Sequence, residues 1–450
     1  MRSKFSSRLG YVLATAGSAV GLGNIWRFPY LSAKYGGGIF LLVYILLALT
    51  FGYTMIISET ALGRIARKSP VGAFKHFRNS KLSLAGGWIN AIIPMLIVPY
   101  YSVIGGWVCK YLFEYVTFNR EKAALDGFFT SFISNPVSTE IWFLVFAIIS
   151  LTIVFTGVRH GVEAVSKVMM PILVILAVVI AIFSMTRKGA ADGIKYFLVP
   201  NLSNFSWMTV VAAMGQMFYS LSIAMGILIT YGSYMHSDVD IEKSTFQVAA
   251  FDTGIAVLSG LMIIPAVFAF SGNDPAALKA GPSLMFISIP KIFAEMAGGN
   301  IIGIMFFILV FFAAMTSSIA LLETAISTFE DELGWSRHKA TIMMSLIMVV
   351  LGSVNSLGFS SLSFVKIFKM DILDFFDFTT NSIMMPIAAM ATCLLVLKRV
   401  GTKEIEKEIM KSSSFAGKAL YKFCIRFIAP IFILVILISS ILNVLGIINL

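Results

Sequence analysis

Long uncharged stretches recur along the whole 450-residue chain, and this pattern is the first guide to its fold. Most are close to 20 residues or longer, the length an α-helix needs to cross a hydrocarbon core of about 30 Å. They do not alternate in polarity, so they do not fit the strands of a membrane β-barrel. The pattern predicts an all-α integral membrane protein with about eleven transmembrane helices. The predicted spans lie near residues 9–34, 39–63, 83–113, 141–157, 163–186, 205–235, 244–271, 298–330, 340–356, 375–397 and 425–448.

Two of these spans carry residues that interrupt a helix near the middle of the membrane. In the first, AGSAVGLGNIWRFPY at residues 16–30 combines three glycines with an asparagine, an arginine and a proline. In the sixth, QMFYSLSIAMG at residues 216–226 places Ser220, Ser222 and Gly226 where a continuous span would be apolar. One glycine-containing span alone would be explained by close helix packing. Two such spans, five apart, instead predict broken helices 1 and 6 in a five-plus-five inverted repeat, as in many secondary transporters.

The charge distribution predicts the orientation of the chain. Charged residues are only 13% of the sequence and the net charge is +11. Residues 64–81 carry six Lys/Arg and no acid, and residues 398–426 carry eight against three acids. Because basic loops stay in the cytoplasm, we expect a cytoplasmic N-terminus and a multi-pass protein of the cell inner (plasma) membrane. The same distribution argues against a nucleic-acid partner and for the lipid bilayer as the surroundings.

The predicted repeats divide the chain into three parts. Residues 1–190 form the first five-helix repeat, residues 191–398 form the second, inverted repeat, and residues 399–450 contain a basic cytoplasmic loop and helix 11. The predicted spans contain no cluster of catalytic or metal-ligating side chains. We therefore expect that the protein is not an enzyme.

Several motifs identify a family resemblance. GSAVGLGNIWRFPY, followed by GGG at residues 36–38, closely resembles the first-helix signature of the neurotransmitter:sodium symporter family, and specifically of its bacterial amino-acid transporters. Further similar motifs are GQMFYSLS at 215–222, ITYGSYM at 229–235, FFAAMTSS at 311–318, FEDELGWSRH at 329–338 and DFFDF at 374–378. The resemblance covers nearly the whole chain. It implies a symporter that imports amino acids with sodium, two ions in all, by alternating access.

The resemblance also implies the residues of the site. The second sodium site would use Gly17, Val20, Ala313, Thr316 and Ser317, and the first would use Ala19, Asn24, Ser220 and Asp252. The substrate would contact Ala19, Gly21, Gly23, Ile97, Tyr101, Ile104, Tyr219, Ser220, Ser222, Met225, Ser317 and Leu321. None of these substrate-binding side chains is charged, and a charged substrate side chain would be buried unpaired at a cost of several kcal/mol. We therefore expect neutral substrates with apolar or aromatic side chains.

Two ion pairs resemble the family's gates. Arg27 and Asp377 resemble the outer gate, whereas Arg2 and Asp331, with Ser233 and Tyr234, resemble the inner one. Phe5 stands where the family usually has Trp near the inner gate, which is a departure from the family's pattern.

Asp252 differs from the Asn that many relatives have at this position. Nearby, Tyr44, Gln216 and Ser220 match positions that hold chloride in the animal transporters. We expect Asp252 to replace chloride, so that chloride is not required, and to take up a proton on the return step. Two alternatives stay open, namely a non-transporting amino-acid sensor with the same site and a proton-coupled transporter of the same fold. The oligomeric state is left open as well.

Overall fold

The computed structural model describes residues 3–271, 282–444 and 447. Within these ranges nine helices are long and apolar enough to cross a membrane, and two interrupted spans bring the total to eleven. The continuous spans, numbered 2–5 and 7–11, are Gly38–Ala66, Lys81–Val116, Pro136–Phe155, Val158–Met185, Ile241–Ser271, Gly299–Leu333, Arg337–Leu357, Ile372–Val400 and Lys418–Asn443. Span 1 comprises Arg8–Ala19, Gly23–Arg27 and Phe28–Lys34, and span 6 comprises Trp207–Ser220 and Ile227–Tyr234. Short helices outside the spans include Pro70–Phe77, Arg120–Ala123, Phe128–Ile133, Ala190–Leu198, Ile289–Glu295 and Thr402–Met410.

Several helices continue past their apolar stretches into polar turns. Span 11 begins at Lys418, seven residues before the predicted start at 425. Lys418 and Lys422 in this first turn bind Glu406 of the preceding loop helix at 2.8 and 2.9 Å. A hydropathy pattern detects only the residues within the hydrocarbon core, so it misses the turns that extend a helix into the interface.

Spans 3 and 8 form the centre of the bundle. They contain 36 and 35 residues, which corresponds to about 54 and 52 Å of helix and exceeds a hydrocarbon core of about 30 Å. In span 3, 89% of the apolar stretch is buried, against 28% in span 11. The two central helices approach closely at Gly303, where an added Cβ would lie 2.0 Å from the ring of Tyr115. In spans 4 and 5 only 33% of the apolar stretch is buried, so spans 4, 5 and 11 lie at the outside of the bundle, whereas span 3 is surrounded by protein.

The predicted fold class is confirmed, because the described spans are helical apart from two interruptions, and both occur where the sequence places them. The division into repeats at residues 190 and 398 stays a prediction.

Candidate functional site

The break in span 1 releases backbone carbonyls at the centre of the protein. The first helical segment ends at Ala19, and a π-helical turn begins at Gly23. The freed carbonyl of Ser18 accepts hydrogen bonds from the Ser222 hydroxyl at 2.9 Å and from the Ser317 hydroxyl at 3.2 Å. Side chains from spans 6 and 8 thus satisfy backbone groups that the helix leaves open, as a buried carbonyl requires.

The glycines in this break are explained by the lack of space for a side chain. A Cβ at Gly21 would lie 2.8 Å from the Ser317 Oγ and 3.1 Å from the Tyr101 hydroxyl. A Cβ at Gly23 would lie 2.7 Å from the ring of Tyr219. The tyrosines and the serine therefore approach the backbone of span 1 directly.

The break in span 6 consists of residues 221–226 and contains three residues in the left-handed region. Ser222, Ala224 and Gly226 have φ angles of 54°, 61° and 71°. Left-handed backbone cannot continue a right-handed helix, so the segment separates the two halves of the span. The amide of Ala224 donates to Glu59 Oε1 at 2.9 Å, and Glu59 is fully buried in span 2. This carboxylate satisfies a backbone donor that the unwound segment exposes.

The two breaks face one cavity of about 30 Å³. Within the described chain its lining holds no charged side chain. The lining residues are Ser18, Ala19, Gly21, Leu22, Gly23, Asn24, Ile97, Tyr101, Tyr219, Ser220, Ser222, Met225, Ile227, Ser317 and Leu321. Eleven of the twelve predicted substrate-binding residues are among them. Ile104, the twelfth, is buried on span 3 but is not among the described residues that line the cavity.

Asp252 of span 7 lies at the centre of a buried polar cluster. Its Oδ1 accepts hydrogen bonds from Asn24 Nδ2 at 2.8 Å and from the Ser220 hydroxyl at 2.6 Å. Its Oδ2 accepts one from the Tyr44 hydroxyl at 2.8 Å. Three donors on one carboxylate are the arrangement that stabilises a buried negative charge. The cluster joins spans 1, 2, 6 and 7 beside the cavity. Gln216, by contrast, donates to the carbonyl of Gly23 at 3.0 Å.

The predicted residues of the second sodium site lie together between spans 1 and 8. The Ser317 hydroxyl is 3.4 Å from the carbonyl oxygen of Gly17. A Cβ at Gly17 would lie 3.1 Å from the Thr316 Cβ. The Thr316 hydroxyl donates to the carbonyls of Phe312 and Ala313 at 3.0 and 3.2 Å. Val20 follows at the end of the first helical segment of span 1. Carbonyl and hydroxyl oxygens in such a cluster are the ligands that a hard cation prefers.

Comparison with known proteins identifies the family. A family model described as the Sodium:neurotransmitter symporter family matches residues 2–127 and 118–447. The chain belongs to this family. The symporter is 32% identical over 452 residues to the uncharacterized sodium-dependent transporter YhdH of Bacillus subtilis (strain 168), covering 99% of this chain and 98% of YhdH. It is 23% identical over 482 residues to the sodium- and chloride-dependent GABA transporter 2 of Homo sapiens, covering 95% of this chain and 78% of that one.

A solved structure is also similar to the symporter. The crystal structure of MhsT in complex with L-phenylalanine superposes with a TM-score of 0.88 at 37% identity, covering 98% of this chain and 100% of that chain. The protein is therefore a sodium-dependent transporter with several membrane spans, and the predicted family resemblance is confirmed.

At the predicted outer gate, Arg27 and Asp377 lie apart. Both residues lie in the described part of the chain and are not within ion-pair distance of each other. The Arg27 guanidinium lies over the Tyr219 ring, 5.6 Å from its centroid. The Asp377 carboxylate accepts hydrogen bonds from the Tyr100 hydroxyl at 3.2 Å and from Asn381 Nδ2 at 2.6 Å. The predicted outer ion pair is thus not formed in this conformation.

At the predicted inner gate, Arg2 lies outside the described residues, so its pairing with Asp331 stays a prediction. Asp331 Oδ2 accepts a hydrogen bond from the amide of Ser69 at 2.6 Å. Phe5 is buried, and its ring meets those of Tyr231 and Tyr234 edge-on at 5.4 and 6.0 Å. Phe5 therefore makes an aromatic contact at the position that the family resemblance places near the inner gate.

The sequence reasoning missed two carboxylates of the symporter. One is Glu59, described above. The other is Glu323 of span 8, which accepts a hydrogen bond from the Tyr234 hydroxyl at 2.7 Å and pairs with Arg337 at 2.5 Å. Both carboxylates are fully buried. Their signal was an acidic residue inside a predicted span, which is a functional hypothesis by default.

Proposed function

We propose that this transporter imports neutral amino acids with apolar or aromatic side chains, together with sodium, by alternating access. The observation that carries the proposal is the buried cavity where two broken helices meet, lined by backbone groups, hydroxyls and apolar side chains. Broken helices offer half-helix ends to the charged groups of an amino acid, while freed carbonyls bind cations. Such a site recognises the backbone part of a substrate without any charged side chain.

The polar ends of the substrate are assigned to the two breaks. The carboxylate meets the amides of Gly21 and Gly23 and the hydroxyl of Tyr101. That hydroxyl already accepts a hydrogen bond from the amide of Leu22 at 3.3 Å, so it lies at the start of the second half of span 1. The ammonium group faces carbonyls near Ala19, Tyr219 and Ser222, which satisfy its three donors.

The substrate side chain is assigned to the apolar wall of the cavity. Ile97, Met225 and Leu321 supply this wall, and Met225 adapts to side chains of different size because methionine is flexible. A lysine or glutamate side chain would be buried there without a partner, which costs several kcal/mol. MhsT, which superposes closely, was crystallised with L-phenylalanine, and this supports an aromatic or apolar substrate.

Two sodium ions are proposed to accompany the substrate. One binds between spans 1 and 8, at the carbonyls of Gly17, Val20 and Ala313 with the hydroxyls of Thr316 and Ser317. The other binds beside Asp252, with the carbonyl of Ala19, the side chain of Asn24 and the hydroxyl and carbonyl of Ser220. The substrate carboxylate borders this second group, so substrate and ion stabilise each other.

Chloride is proposed to be unnecessary because Asp252 provides the negative charge. Tyr44 and Ser220, which match chloride-holding positions in the animal transporters, both donate to this carboxylate. A fixed carboxylate at this place leaves these donors already satisfied. The relative from Homo sapiens is described as sodium- and chloride-dependent, which makes the difference testable.

Alternating access is proposed because the cavity lies among buried residues at the centre of the bundle. Entry therefore requires movement of Arg27 and Tyr219 on one side, or of the residues around Phe5, Tyr234 and Asp331 on the other. We also propose that the N-terminus is cytoplasmic and that the protein resides in the inner membrane, from the basic loops.

The decisive experiment is uptake of radiolabelled phenylalanine and leucine into proteoliposomes with a sodium gradient, competed by each standard amino acid. We expect uptake that requires external sodium, and competition by apolar and aromatic amino acids but not by lysine or glutamate. Sodium-dependent binding without flux would support the sensor instead. Uptake driven by a proton gradient in the absence of sodium would support the proton-coupled transporter.

A further inference from the structure

A second, larger cavity opens on the cytoplasmic half of the bundle, and it shares no lining residue with the central cavity. It lies between spans 3, 10 and 11 and has a volume of about 650 Å³. Ligand pockets typically measure about 300–1,000 Å³. We call it the lipid-side groove; its lining includes Arg78, Leu82, Ala85, Lys398, Arg399 and Leu434.

The floor of the groove is a close contact between two spans. A Cβ at Gly86 of span 3 would lie 3.0 Å from the Ala391 Cβ of span 10 and 2.9 Å from the ring of Phe74. Small residues here bring the helices together, so larger apolar side chains on either side form the walls. Leu82 and Leu434 of these walls are 85% and 50% exposed. The groove is therefore apolar along its length and open to the membrane.

The rim of the groove is basic. Arg78, Lys398 and Arg399 line it, and the described lining contains no acidic residue. All three side chains are exposed. Within the described ranges, none of the three has an acidic group at ion-pair distance. Three cations without acidic partners at one end of an apolar channel fit an anionic ligand that has a long apolar part.

The length of the groove matches one leaflet of a bilayer. Along span 10 it extends from Lys398 to Pro386, which is twelve residues or about 18 Å of helix. Half of a hydrocarbon core of about 30 Å is about 15 Å. An acyl chain that starts at the basic rim thus ends near the middle of the membrane. By the positive-inside rule this rim lies in the cytoplasmic leaflet, where anionic lipids attract basic residues.

We infer that the lipid-side groove binds one anionic phospholipid, with its phosphate between Arg78, Lys398 and Arg399 and an acyl chain along spans 3, 10 and 11. The competing explanation is that these cations only orient the protein, as basic residues do at any cytoplasmic helix end. The concave apolar channel beside them favours the lipid. The inference does not depend on the transport activity proposed above.

The test uses purified full-length protein and native mass spectrometry with added phosphatidylglycerol or phosphatidylcholine. We expect one phosphatidylglycerol to be retained in preference to phosphatidylcholine. The variant Arg78→Gln/Lys398→Gln/Arg399→Gln is expected to weaken this retention on the order of tenfold, because each basic residue near the surface attracts anionic lipid. The matched control, Arg159→Gln/Lys403→Gln/Arg426→Gln, removes the same charge from exposed cytoplasmic residues outside the groove and is expected to leave retention unchanged.

A second variant tests the apolar part of the groove. Ala85→Trp adds a large side chain on its exposed wall and leaves the three cations in place. It is expected to reduce the retention of phosphatidylglycerol. Equal loss in the control triple variant would overturn the inference, since it would show a diffuse charge effect. Equal retention of the two lipids by the unaltered protein would also overturn the inference. A protein dimer that only Ala85→Trp dissociates would overturn it too, since the groove would then bind a second copy of the chain.

Discussion

Replacing Asp252 with asparagine tests how the central site holds charge. The carboxylate accepts three hydrogen bonds of 2.6 to 2.8 Å from Asn24, Ser220 and Tyr44. The asparagine side chain in the Asp252→Asn variant keeps one oxygen for Asn24 and Ser220, and its amide donates to the Tyr44 hydroxyl oxygen. The change thus preserves shape and removes one negative charge.

The expected effect on folding is small, because two contributions oppose each other. Hydrogen bonds to a charged group contribute about 1.5–3 kcal/mol, against about 0.5–1.5 for neutral ones, so three weakened bonds lose about 3 kcal/mol. Burying a neutral amide instead of a carboxylate regains a desolvation penalty of several kcal/mol. We therefore expect the melting temperature to change by only a few degrees.

The expected effect on sodium is large. Two unit charges about 4 Å apart attract by about 4 kcal/mol at an effective dielectric constant of 20. Since each 1.4 kcal/mol corresponds to a tenfold change in affinity, the sodium concentration for half-maximal substrate binding is expected to rise on the order of 10³-fold. Binding is measured by scintillation proximity over a sodium series, with choline as the replacement cation.

Uptake by the unaltered protein is expected to continue when gluconate replaces chloride and to rise with an acidic interior.

Two control variants separate charge from hydrogen bonding. Tyr44→Phe removes one donor and keeps the charge, so its sodium dependence is expected to change less than tenfold. Asp252→Asn combined with Ala256→Ser is expected to regain activity when chloride is added, because a hydroxyl and an anion replace the carboxylate. If Asp252→Asn binds substrate with unaltered sodium dependence, or if unaltered uptake stops without chloride, the assigned role of Asp252 is refuted.

Three further predictions concern the second sodium site, the outer gate and the break in span 6. Thr316→Val is expected to abolish sodium-stimulated substrate binding. The control Thr328→Val, whose hydroxyl likewise bonds within span 8 at 2.9 Å, is expected to leave that binding intact. Equal sodium dependence in the two variants would show that the second sodium site does not include Thr316. Arg27→Ala removes the cation over Tyr219, so labelling of an outward-facing probe cysteine is expected to rise with sodium and substrate present; unchanged labelling and uptake would reduce Arg27 to an interfacial anchor. Ala224→Gly is expected to change the free energy of unfolding by no more than about 1 kcal/mol. Ala224→Val is expected to lower it by about 2 kcal/mol, because a β-branched residue is strained at φ 61°. A Val variant as stable as the unaltered protein would show that the segment rearranges.

Hydrophobic patterning by itself determined the number of spans and both helix interruptions. The pattern suffices because lipid cannot satisfy backbone groups, so every crossing must be a long apolar helix and every break needs a protein-lined cavity. The glycines of span 1 and the serines of span 6 marked the positions of the two interruptions. The family motifs then indicated which residues share the site, and eleven of the twelve predicted substrate contacts do meet at one cavity.

Only the tertiary structure decided which partners these residues take. The partner of Arg27 is the Tyr219 ring instead of Asp377, which Tyr100 and Asn381 hold. Glu59 reaches the amide of Ala224, 165 residues away in the chain. The lipid-side groove also exists only where three distant spans meet. The physical reason is that the bilayer requires every spanning helix to be apolar, and the sequence of each helix alone shows whether it is. A hydrogen bond instead depends on distances of a few ångströms between segments that lie far apart in the chain.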